Sequence, residues 1–95
     1  MAIFSNTPTT SQLTTSALCV IYECIKEGEL SGEVKDLTTL KAYVNSGINY
    51  CDTLANNKKE ELKPIWQIAY KLCENYSYKE LKELSQQVQL SEFSR

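Results

Sequence analysis

The chain has 95 residues, of which 42% are hydrophobic and 23% charged, with a formal net charge of −2. That length holds one domain and no second core, the composition is that of a globular chain, and the slight acidity supplies no basic face for nucleic acid. Three Gly and two Pro are too few for a small all-β fold, which needs turn residues every ~8–12 positions.

Residues 1–9 read as an N-terminal arm whose greasy residues, Ile3 and Phe4, are expected to fold back over one end of the core. Residues 10–95 read as a single four-helix domain. The first helix opens either at Thr7-Pro8, an N-cap oxygen followed by a residue suited to the first helical position, or at the capping box Thr9-x-x-Gln12. It is expected to run to about Glu27, with Gly28 as a left-handed C-cap. Its apolar set, Leu13, Ala17, Leu18, Val20, Ile21, Cys24 and Ile25, is broad, as for the most buried helix of a bundle.

Residues 28–35 form the longest linker, and Asp36 caps the second helix, with Ser31 as the upstream alternative. Leu37, Leu40, Val44, Gly47, Ile48, Cys51, Leu54 and Ala55 then hold the spacing of one helical face. Gly47 costs that helix roughly 1 kcal/mol relative to Ala, so its place on the apolar face is read as close approach by another helix. Asn56-Asn57 breaks the pattern, and Asn57-x-x-Glu60 is the predicted cap of a third helix with the face Leu62, Ile65, Trp66, Ala69, Leu72, Cys73 and Tyr76. Pro64 within it predicts a kink or a restart. Ser77-x-x-Glu80 is a capping box for a fourth helix with the narrow face Leu81, Leu84 and Val88. The links at 56–57 and 76–77 are short, which predicts antiparallel neighbours and an all-α, up-and-down antiparallel four-helix bundle. Its expected central residues are Ile21, Leu40, Val44, Ile48, Ile65, Trp66, Ala69 and Leu72.

The chemistry that the sequence lacks is informative. There is no histidine, which removes the commonest general base and transition-metal ligand together with Ser-His and Cys-His dyads. No Gly-rich phosphate loop is present, and the sole arginine is Arg95. Cys19 and Cys24 are five apart, about 140° around a helix, and with Cys51 and Cys73 they form no C-x2-C pair. They are read as reduced core hydrophobes. Glu23/Glu27, Glu60-Glu61 and Glu80/Glu83 decorate solvent faces or first turns. No catalytic residue, cofactor or metal is expected. The start Met1-Ala2-Ile3-Phe4 has no basic n-region, and no apolar run approaches a membrane span; a cytoplasmic location without membrane attachment is expected.

Two features bear on partner binding. Tyr43 and Tyr50 are seven apart and share a stripe beside the apolar face of the second helix, a pattern that fits core-edge packing with the hydroxyls in water and equally an interface, where Tyr is enriched at hot spots. Glu23, Glu27, Glu29, Glu33 and Asp36 stand against Lys26 and Lys35, a local charge of −3 that fits a solvated face serving solubility or, as the alternative, an edge that steers a basic partner. The expected docking site is therefore Tyr43, Asn49 and Tyr50, rimmed by Glu29, Glu33 and Asp36. In size, acidity and four-helix layout the chain resembles small cytosolic inhibitors and immunity proteins of bacteria or phage, a likeness of architecture with no family motif behind it. The expected function is a small non-enzymatic protein that binds and inhibits or adapts another protein. Two alternatives are a nucleic-acid-binding or transcription-regulatory protein and a structural homo-oligomer, a homodimer being the simplest case. For the first, the region from Lys58 to Glu83 carries six lysines against five acids.

Overall fold

In the computed structural model, which describes residues 9–93, four α-helices follow one another: α1 (Thr10–Ser31), α2 (Leu37–Cys51), α3 (Asn56–Asn75) and α4 (Tyr78–Phe93). No strand occurs among the described residues. The Thr7-Pro8 start and the fold-back of Ile3 and Phe4 lie outside them. Thr9 caps α1 through the reciprocal box, its hydroxyl accepting from Gln12 N–H at 3.1 Å while Gln12 Oε1 accepts from Thr9 N–H at 2.9 Å.

Two boundaries differ from the sequence expectation. Helix α1 continues through Gly28 to Ser31, and the left-handed cap is Gly32 at φ 85°. Gly28 is needed for packing instead: a Cβ there would collide with the side chain of Val34, which folds back from the linker into the core and donates its N–H to Gly28 O at 3.0 Å. At the other end of α2 the helix stops at Cys51, and the cap of α3 is Ala55, without a side-chain hydrogen bond, in place of Asn57. Asn56 and Asn57 begin α3, so the link is 52–55. Pro64 lies inside α3, which extends on both sides of it as one element with no restart. Asp36 and Ser77 cap α2 and α4 as expected.

The helices form a compact four-helix bundle in which α1 packs against all three others and α2 packs along α3, whereas α3 and α4 touch only thinly. Ile21, Leu40, Val44 and Ala69 of the expected centre are fully buried, while Ile48, Ile65, Trp66 and Leu72 are half-buried. Leu81 and Ser85 of α4 are sealed in the same core, which gives this short-faced helix a firm first half.

Candidate functional site

Each residue turns an α-helix by about 100°, so the buried positions Leu40, Val44 and Cys51 of α2 leave Ala42 at the centre of its solvent face. The exposed residues of that face, Thr38, Ala42, Asn45, Ser46, Asn49 and Tyr50, carry no charge. A shallow groove runs along each flank. Toward α3 it is lined by Thr38, Lys41, Ala42, Asn45 and Tyr70, with Lys41 Nζ 5.9 Å from the Tyr70 ring centroid. Toward α1 and its linker it is lined by Glu33, Thr39, Ala42, Tyr43 and Ser46.

This geometry brings together some of the sequence-predicted residues and separates others. Tyr43 is half-buried and packs on the core, with Glu33 in the same groove. Burial, then the nearby Glu27, Glu33 and Cys24, hold its phenol above its ordinary pKa. Tyr50 is 65% exposed and stands two turns further along α2, about 10 Å by helical rise. Asn49 is exposed beside it. Asp36 is about 20 Å from Tyr50 by the same rise, and its carboxylate is occupied as the α2 cap, accepting from Thr39 N–H at 2.9 Å. Those hydrogen bonds from Thr39 hold its carboxyl below the ordinary value.

Glu29 faces a different helix altogether. Its Oε2 accepts from Tyr78 Oη at 2.7 Å and from Lys82 Nζ at 3.0 Å, with Lys82 Nζ 5.6 Å from the Tyr78 ring centroid. These hydrogen bonds lower the Glu29 pKa, and burial together with Glu29 raises that of Tyr78, which stays a donor. Beside this cluster lies a cleft of about 200 Å³ lined by Tyr22, Ile25, Lys26, Glu29, Lys82, Ser85 and Gln86. Glu29 is thus a strut between α1 and α4. Sequence reasoning missed Lys41 and Tyr70 beside the α2 face; the one available signal was that Lys41 is the sole charge in the fifteen residues of α2.

No disulfide joins the four cysteines, of which Cys24, Cys51 and Cys73 are buried and Cys19 is half-buried. Burial first, then Cys73, Glu27 and Glu23, push the Cys24 thiol up to about 12; burial pushes Cys73 up to about 11 against an opposing pull from Lys41. Thiols held protonated in this way are poor nucleophiles and poor ligands. No cluster of three or more potential metal ligands occurs among the described residues, and no helix there is long and apolar enough to cross a membrane. No family model, curated protein or solved structure matches this chain.

Proposed function

We propose that this protein is a non-enzymatic binding module of the cytoplasm, which docks on another protein through the solvent face of α2 and inhibits or adapts it. The observation that carries this reading is a contrast between helices. The exposed positions of α2 carry no charge along the whole helix and include Tyr50, whereas each of the other three helices has several exposed charges, as at Glu23, Lys26, Glu60, Glu61, Lys79 and Glu83. Interface centres are depleted in charge and enriched in Tyr, with charged groups at the rim. Glu33 supplies a rim charge on one side and Lys41 on the other. A nucleic-acid reading is weaker, because Lys63 and Lys82 are committed to Asp52 and Glu29.

The test is parallel capture from the native lysate with the wild-type chain and Tyr50→Ala, folding being checked by circular dichroism. A stoichiometric protein that Tyr50→Ala binds more than about 1 kcal/mol more weakly, roughly fivefold, would support the reading. With that protein in hand, Glu33→Lys should mainly slow association and change its salt dependence. Equal retention by wild type and Tyr50→Ala moves the site away from α2.

A further inference from the structure

The two grooves beside Ala42 carry opposite charges that form no ion pair among the described residues. On the α3 side Lys41 is over the Tyr70 ring and makes no ion pair among the described residues. On the α1 side the Glu33 carboxylate has neither a hydrogen bond nor an ion pair among them. The two grooves flank the same stretch of α2, from Thr38 to Asn45 on the Lys41 side and from Thr39 to Ser46 on the Glu33 side, with Ala42 lining both. Across the ridge between them the exposed positions are neutral.

We propose that the occupant of this face is a second copy of the chain, related by a twofold axis parallel to α2. Rotation about such an axis exchanges the left and right flanks of the helix while keeping each residue at its level. Lys41 of one copy then meets the partner's Glu33, and symmetry repeats the pair. A twofold perpendicular to α2 keeps each flank on its own side and sets lysine flank on lysine flank, so the charge pattern selects the parallel arrangement. The inference rests on the reading of the α2 face as an interaction surface and names one occupant of it, in competition with any heterologous partner.

Sedimentation of the full chain over a concentration series, at low and high salt, tests the pairing. Wild type is expected to show a monomer–dimer equilibrium that weakens with salt. Lys41→Glu or Glu33→Lys alone turns both symmetric pairs into like charges and should raise the dissociation constant roughly tenfold. The double variant should recover wild-type affinity, and an equimolar mixture of the two single variants should form a heterodimer. A chain that stays monomeric throughout overturns the proposal, as does a dimer insensitive to the single reversals or not restored by the double one. Ala42→Arg, read in both sedimentation and lysate capture, separates this inference from the reading beneath it. A monomeric wild type whose captured partner is lost on Ala42→Arg leaves the binding-module reading standing and removes only the self-pairing.

Discussion

The indole of Trp66 on α3 fills the space that a side chain at Gly47 on α2 would need: a Cβ on Gly47 would meet Trp66 Cη2 at 2.6 Å, with two further ring carbons closer still. A glycine in mid-helix costs roughly 1 kcal/mol relative to Ala, and here the cost is offset by letting a large aromatic plate lie directly on the α2 backbone. The contact joins α2, which carries the candidate docking face, to α3, which borders it.

Gly47→Ala is therefore expected to destabilise the protein even though Ala is the better helix former. Overpacking costs about 1–3 kcal/mol, and recovered helix propensity returns about 1 kcal/mol, for a net loss on the order of 1 kcal/mol. Chemical denaturation followed by the fluorescence of Trp66, the sole tryptophan, measures it. In a Trp66→Leu background the same change should cost less or turn favourable, since the colliding ring is gone. An unchanged cost in that background would mean that Trp66 is not the obstacle.

The Gly47 contact was legible in the sequence because a glycine on an otherwise strict apolar face has few other reasons to be there. Gly28 was misleading for a related cause. It lies one turn past Ile25, the last core apolar residue of α1, where a cap belongs, but its smallness serves Val34, six residues on and outside any helical pattern. The α2–α3 link was displaced because Asp52, Thr53 and Leu54 donate to Asn49, Tyr50 and Cys51 at 3.2, 2.9 and 3.1 Å, three tight turns of i to i−3 type. That winding leaves Leu54 half-buried, so periodicity alone sees an unbroken helix. In the candidate site, the Tyr43–Tyr50 stripe followed from spacing within one helix. The fate of the acidic segment did not, because Glu29 finds its partners 49 and 53 residues away.

The Glu29 strut predicts an acid limb in the stability profile. Its folded pKa lies below the ordinary 4.5, so its contribution is complete above that pH and is lost as the pH falls through the folded value. Asp52, lowered chiefly by its hydrogen bond from Lys63, and Asp36 act in the same direction from an ordinary value of 3.8. Tyr78 is raised from 10.0, so its contribution holds below pH 10 and fades only as the pH rises beyond it. Because the pair Glu29–Lys82 is about 40% exposed on each side, Glu29→Gln should cost less than about 1 kcal/mol at neutral pH. Thermal melts between pH 3 and 7, as set by those ordinary values, should show a shallower acid limb in Glu29→Gln than in wild type.

The buried thiols should be silent in the native state. With Cys24 raised to about 12 and Cys73 to about 11, almost no thiolate exists at neutral pH, and burial blocks the reagent as well. Iodoacetamide followed by mass mapping is expected to leave Cys24, Cys51 and Cys73 unmodified in native buffer and to label all three in denaturant. Labelling of Cys24 or Cys73 faster than global unfolding would show that α1 and α3 separate locally.

Helix α4 is fastened at one end, and this predicts how it comes loose. Leu81 and Ser85 are fully buried and Leu84 and Val88 half-buried, whereas Leu90 is 69% exposed. The hydrogen bonds from Tyr78 and Lys82 to Glu29 add to the same first two turns. With only thin contact to α3, the helix depends on α1 for its docking. Leu81→Ala removes a large, fully enclosed side chain of α4 and should cost about 2–5 kcal/mol. Hydrogen exchange distinguishes where that loss falls. In wild type, amides after Ser85 should exchange through small openings while those of the first half are protected. In Leu81→Ala the protection of the whole helix should fall below that of α1–α3, whereas Leu40→Ala, in the joint between α2 and its neighbours, should lower protection throughout the bundle. If Leu81→Ala instead lowers protection equally in all four helices, α4 belongs to a single cooperative unit and does not open alone.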